Sequence, residues 1–236
     1  MAAAAARRVS ESIAIEASAL TRRYSGVDVV REVTFRIPAG RKVALVGSNG
    51  AGKTTLLSLL STLVQPTTGE AWVEGHPLAG RSAALRRSLG VLRHSPMLYE
   101  AFTPLENLEF FARLYGVEDS GARIEELLRR LGLWRRRHEP TAVLSRGTHQ
   151  RLAIARALIH QPTVLLVDEP ETGLDPDGIA LLDELMLRAP GVTVLAATHR
   201  VDRIEAWADG LVRLDRGRVA EDTVSAAAPR PSEVRV

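Results

Sequence analysis

One segment constrains this chain more than any other. Gly47-Ser48-Asn49-Gly50-Ala51-Gly52-Lys53-Thr54 follows the spacing G-x-x-x-x-G-K-[ST] and sits between an apolar run, Lys42–Val46, and a stretch with helical spacing from Gly52 to about Thr62. Glycines let a backbone curl until its N–H groups converge, and the start of the following helix adds the positive end of its dipole. A strand, a glycine loop and a helix in that order make a cradle for phosphate, where a plain glycine turn before a helix would need none of the rest. Lys53 is then the cation that bridges β- and γ-phosphates, and the Thr54 hydroxyl a ligand for Mg²⁺. Thr55 extends the cradle at the helix start.

A second apolar run, Val164–Val167, ends in Asp168-Glu169. A carboxylate at the end of a buried strand faces the edge of a parallel sheet where ligands bind. Asp168 there can hold Mg²⁺ indirectly, as through a water, and Glu169 can act as general base on an attacking water. Two acids after a strand also start helices, so the pair gains its meaning from the glycine loop.

The pattern between these motifs predicts an α/β fold. Continuous apolar strands at 42–46, 164–167 and 192–196 alternate with helical stretches at 178–188 and 201–208. This implies a mostly parallel core sheet covered on both faces. Ile13–Ile15 and Val33–Ile37 alternate as half-buried antiparallel strands. Helical spacing over Pro104–Tyr115 and Ala122–Leu131 predicts a helical subdomain inserted over about 95–160. Residues 1–11 and 222–236 read as flexible tails around a folded body of 12–221.

Composition removes several classes. The 236 residues are 45% hydrophobic and contain no cysteine, which excludes a disulfide scaffold, a thiol nucleophile and a Cys-ligated metal. No apolar run approaches the ~18 residues that cross a membrane. Lys plus Arg number 31 against 28 Asp plus Glu, and only Lys42 and Lys53 are lysines. The arginines Arg129, Arg130 and Arg135 to Arg137 read as a solvated helical face, since acidic i−4 partners precede two of them. A nucleic-acid partner is therefore not expected.

Further motifs carry a family resemblance. Leu144-Ser145-Arg146-Gly147-Thr148-His149-Gln150-Arg151 resembles the signature of ABC ATPases, with Ser145 placed 23 residues before Asp168. Asp168-Glu169-Pro170 resembles the family's Walker B end, Gly173-Leu174-Asp175-Pro176 its D-loop, and Thr198-His199 its switch histidine. Tyr24 stands where the family places an aromatic that stacks on adenine. The similarity covers residues 12–221 and implies the P-loop NTPase fold of ABC type. It implies a homodimer around two ATP and Mg²⁺, in which Ser145 and Gly147 reach the γ-phosphate held by the other copy. His199 would contact that phosphate and Asp175 would reach across the interface. It further implies ATP hydrolysis that drives a separate integral membrane permease, with this chain peripheral on the cytoplasmic face.

The chain departs from the family pattern in places. His94 stands at the Q-loop glutamine, with a contact to Mg²⁺ or water and a purely structural role both open. Arg146 replaces a glycine and Thr148 a glutamine of the signature. With Glu106–Gly116, these features resemble the ATPase of haem exporters of cytochrome c maturation. The alternative is the ATPase of another small-molecule or drug exporter. A soluble ABC ATPase acting on nucleic acid or ribosomes fits less well. Such proteins carry two cassettes or a long coiled coil, and here only 92 positions separate Lys53 from Ser145.

Overall fold

The structure is a computed structural model and describes residues 12–80 and 82–225. The tail expected at 1–11 and most of that at 222–236 lie outside the described residues. The folded segment runs further than the expected boundary at 221. Its last strand reaches Asp222, and the Ser225 hydroxyl donates to Arg36 O at 3.1 Å while accepting from Arg36 N at 2.8 Å.

Two sheets form the body. The first is antiparallel and contains β1 (Ile13–Tyr24), β2 (Val27–Pro38), β4 (Thr68–Val73) and the short β5 (His76–Pro77), in the order β2-β1-β4-β5. The second contains β3 (Lys42–Val46), β6 (Leu89–Leu92), β7 (Val164–Asp168), β8 (Thr193–Ala197), β9 (Gly210–Asp215) and β10 (Arg218–Asp222). Its order is β10-β9-β3-β8-β7-β6, parallel except for the β9–β10 hairpin.

Strand periodicity explains the layering. Successive side chains of a strand point to opposite faces. Val43 and Leu45 of β3 and Val164 and Leu166 of β7 enter the core between the sheets, with Ile15, Phe35 and Leu56. Ala44, Val46, Leu165 and Val167 enter a second core beneath the helices, with Leu108, Leu127 and Leu152. Helix α1 (Lys53–Leu60) fills the space between the sheets through Leu56, Leu57, Leu59 and Leu60. With both faces covered, β3, β7 and β8 needed the uninterrupted apolar runs seen in the sequence.

A short helix α2 (Ala83–Ser88) precedes β6, and the helical segment contains α3 (Pro104–Tyr115), α4 (Ser120–Arg130) and α5 (Arg146–Leu158). Thr103 and Glu106 form a capping box at the start of α3, and Gly116 ends it in the left-handed conformation. Fully buried Asn107 fixes the entry loop by donating to Tyr99 O at 3.0 Å, Thr103 O at 3.1 Å and Thr141 Oγ1 at 3.2 Å.

Two expected helices differ. The stretch 178–188 is α6 (Pro176–Leu182) followed by a widened turn in which Arg188 N donates to Asp183 O at 2.7 Å. The stretch 201–208 is a tight run, Val201–Ala206, with no side-chain cap. Among the described residues no helix is long and apolar enough to cross a membrane.

Candidate active site

The glycine loop leaves β3 and enters α1 in a conformation that demands glycine. Gly52 has φ +105°, and a Cβ there would lie 2.7 Å from Val29 O. The backbone of β2 therefore touches the loop directly, and Gly217 N holds it from the other side by donating to Ala51 O at 3.0 Å. No acidic side chain occupies the first turn of α1, so its N–H groups face an uncompensated positive end.

A cleft of about 500 Å³ opens over this loop, lined by residues 49–55, Val29, Glu169 and His199. Gly47 and Ser48 hold the lysine: Lys53 Nζ donates to Gly47 O at 2.7 Å and Ser48 O at 3.1 Å. Burial lowers the Lys53 pKa, while Glu169 and Asp168 oppose that shift. The ammonium is thus held by carbonyls at the cradle and balanced by two carboxylates.

Those carboxylates come from the end of β7. Asp168 is 4% exposed and accepts from Thr54 Oγ1 at 3.3 Å. Burial is the main cause that pushes its pKa up, against the Thr54 bond. Glu169 sits at φ +49°, a strained backbone for a non-glycine residue, and its N–H donates to Ala197 O at 3.0 Å. That geometry turns its side chain to the loop after β8, where Oε1 lies 2.5 Å from His199 Nε2. Two residues 30 positions apart in sequence meet because β7 and β8 are neighbours in the sheet.

The signature residues occupy other ground. Ser145 caps α5, accepting from Thr148 N at 3.3 Å, and its hydroxyl lies 2.8 Å from Thr148 Oγ1. Gly147 packs on the D-loop segment, where a Cβ would meet Gly173 O at 3.1 Å. Ser145, Gly147, Thr148, Arg151, Gly173 and Asp175 line a cavity of about 360 Å³, separate from the cleft over the glycine loop. Asp175 is engaged within its own chain. Its Oδ1 accepts from Gly178 N at 3.0 Å, capping α6, and from Arg151 at 2.7 Å.

A third cavity, of about 320 Å³, shares Glu169 with the cleft over the glycine loop. It brings His94 and Arg146 to Glu169, with His149, Gln150 and Thr172. The stem of Arg146 lies against Gly173. Tyr24 stands apart from the cleft lining. The Arg22 guanidinium covers its ring at 4.3 Å, and Val29 supplies the apolar wall of the cleft.

Sequence reasoning missed Val29, because a valine in an alternating strand carries no signal of its neighbours. It also gave no role to Gln150, whose Nε2 donates to Pro170 O at 3.0 Å and ties α5 to the segment after Glu169. The arginine cluster is largely consumed internally. Arg129 pairs with Glu125 at 2.7 Å, Arg130 with Glu184 at 2.6 Å and Arg136 with Glu139 at 2.7 Å. Arg129 and Arg137 cover Trp134 at 4.5 and 4.2 Å.

Known proteins resemble the chain in sequence and in fold. A family model described as ABC transporter matches residues 30–172. The ATP-binding protein NatA of Bacillus subtilis is 36% identical over 198 residues, 82% of this chain and 80% of NatA. The daunorubicin resistance ATP-binding protein DrrA3 of Streptomyces coeruleorubidus is 37% identical over 215 residues, 89% of this chain and 68% of that protein. A solved ATP-binding subunit of an ABC transporter superposes with a TM-score of 0.84 at 34% identity, covering 89% of each chain. A dimeric ATP-binding cassette in a post-hydrolysis state with ADP and Pi gives 0.79 at 27% identity, covering 88% of this chain and 97% of that one. The chain belongs to the ABC transporter family as an ATP-binding subunit with the family's α/β cassette fold, and it is an ATPase.

Proposed function

We propose that this subunit hydrolyses ATP at a site completed by a second copy of the chain and thereby drives export of a small molecule or drug through a separate membrane permease. The observation that carries the catalytic part is the Glu169–His199 pair at the wall of the cleft over the glycine loop. ATP would lie with its phosphates on residues 47–55. Lys53 would exchange its carbonyl partners for β- and γ-phosphate oxygens. Val29 would line the wall beside the adenine, and Tyr24, outside the cleft lining with Arg22 over one face of its ring, would stack on adenine only beyond that wall.

Glu169 takes a proton from water as the oxygen attacks the γ-phosphorus in line. The bond from the γ-phosphorus to the bridging oxygen breaks, and ADP leaves with phosphate. Lys53, His199 Nε2 and, from the second copy, the Ser145 hydroxyl and Gly147 N–H stabilise the charge that spreads over the γ-phosphoryl oxygens. The separation of the Ser145 cavity from the glycine-loop cleft supports a composite site, since one chain does not bring these groups onto one phosphate. Asp175 would lie at the junction of the copies, and His94 would report the state of Glu169 to the helical segment through their shared cavity.

The donors at Thr54 and Asp168 fit magnesium. They are hard oxygens, and the buried Asp168 carboxylate has one hydroxyl as its protein partner in the cleft wall. When bound, Mg²⁺ would neutralise charge on the β- and γ-oxygens.

The cargo follows the alternative reading. DrrA3 is named for daunorubicin resistance, and the bacitracin transport ATP-binding protein BcrA of Enterococcus faecalis is 33% identical over 212 residues. Haem export rested on His94, Arg146 and Glu106–Gly116, and none of the relatives named here carries it in its name. Engagement of the arginine cluster by acids and Trp134 favours a membrane transporter over a nucleic-acid machine, with the chain attached to the permease on the cytoplasmic face. The test is ATPase stimulation of the purified chain–permease complex. Amphipathic drugs should raise the rate and haem should not, whereas stimulation by haem alone would reverse the assignment.

A further inference from the structure

Behind the Glu169–His199 bond, a second link joins the same two segments. Arg203, four residues after His199, donates to Glu171 Oε1 at 2.8 Å and to Asp183 Oδ2 at 2.5 Å. Glu171 lies two residues after Glu169, and Asp183 follows α6. The three side chains are 13–19% exposed, against 55% and 63% for the neighbouring Arg200–Asp202 pair. Exposed pairs add little stability, while loss of one partner from a sheltered pair costs far more.

The backbone ladder ends just short of this position, where the buried Thr198 hydroxyl accepts from Arg200 N at 2.9 Å. The last rung between β7 and β8 is Asp168 with Ala197. Past it the two segments separate around a cavity of about 270 Å³ bordered by Glu169, Glu171 and His199. The run after His199 is a tight helical turn without a side-chain cap, and Glu169 itself holds a strained φ. No ladder fixes His199 relative to Glu169. The arginine fork does match two carboxylates from two different segments, a task a single ammonium performs less well.

We propose that Arg203 is a positioning residue: through its bond to Glu171 it holds the segment carrying His199 against the segment carrying Glu169. This rests on the roles assigned above to Glu169 and His199. The Glu171 contact sets the catalytic geometry, and the Asp183 contact anchors the arginine to the body of the fold.

The test uses the purified full chain, with steady-state ATPase, ATP binding and thermal midpoint measured together. Glu171→Gln keeps the Asp183 contact and weakens the link to the Glu169 segment. It should lower kcat about ten-fold, with KM for ATP within about two-fold. Asp183→Asn retains the Glu171 contact and should keep kcat within about two-fold while lowering the midpoint. Added to His199→Ala, Glu171→Gln should cost no further rate. Wild-type kcat for Glu171→Gln, or an equal loss in Asp183→Asn, overturns the proposal. If Glu171→Gln does not fold, Glu171→Asp, one methylene short of Arg203, carries the same expectations. Full activity of His199→Ala would fell the catalytic reading and this proposal with it. Loss in His199→Ala alongside full activity of Glu171→Gln would fell the proposal alone.

Discussion

His199 Nε2 lies 2.5 Å from Glu169 Oε1, joining the ends of two neighbouring parallel strands across the wall of one cleft. A carboxylate and an imidazole this close are hydrogen-bond partners, so a ligand that engages one ring nitrogen competes with the carboxylate for it. A γ-phosphate that draws His199 Nε2 to itself would free Glu169 for water. Under the proposed roles, phosphate arrival and activation of the base would be coupled in one contact.

Replacement of Glu169 by glutamine keeps the shape and removes the proton acceptor. We expect Glu169→Gln to lower kcat by about 100-fold or more, the usual contribution of a general base, with ATP still bound. The variant should also accumulate as an ATP-dependent dimer in size-exclusion chromatography. Turnover at the wild-type rate would remove Glu169 from the role of base.

The glycine loop offers a graded comparison. Gly50 and Gly52 both have positive φ, but a Cβ at Gly50 meets nothing within 4 Å whereas one at Gly52 lies 2.7 Å from Val29 O. Gly50→Ala should cost about 1 kcal/mol of stability through backbone strain, and Gly52→Ala more, with loss of ATP binding. Urea unfolding and nucleotide titration check both, and equal effects would contradict the contact with β2.

Asp168 illustrates a site that costs stability. Its burial raises the carboxyl pKa, so the folded chain disfavours the ionised form that prevails at neutral pH. The contribution to stability from this group is complete at low pH and is lost as pH rises through the unfolded and then the folded pKa. Asp168→Asn should therefore raise the thermal midpoint at pH 7 while abolishing magnesium-dependent hydrolysis. A lowered midpoint would show that the carboxylate stabilises the fold.

His160 makes the opposite prediction. It stacks on Tyr115 at 3.8 Å, its Nε2 lies 2.9 Å from Leu89 O, and burial pushes its pKa down to about 4 from 6.5. The folded chain holds the neutral ring, so the stabilisation is complete above pH 6.5 and disappears as pH falls through 4. The two values correspond to about 3 kcal/mol. Stability from urea unfolding should fall between pH 7 and 4, His160→Phe should reduce that fall by roughly that amount, and parallel pH profiles would refute it.

Much of the catalytic cleft was legible because its parts are local. A strand, a glycine loop and a helix follow one another within about 20 residues, and their hydrogen bonds and strand period are written into adjacent positions. The same holds for β7 and its terminal Asp168-Glu169. The sequence also named His199, though through its place in a set of motifs and not through any contact it could display.

What only the tertiary structure decided involves partners distant in the chain. Val29 borders the cleft because β2 crosses beside the glycine loop, and Tyr24 lies outside that lining beneath Arg22. Asp175 is held by Arg151 within its own chain, and Arg203 ties two strand ends to α6. The two lysines tell the same story. Their scarcity was visible in the sequence, but only packing shows that Lys53 rests on Gly47 O and Ser48 O, and that Lys42 rests on Ala189 O and Val192 O. Backbone propensity and periodicity act over a few residues, whereas these bonds exist only after neighbouring strands and helices have packed.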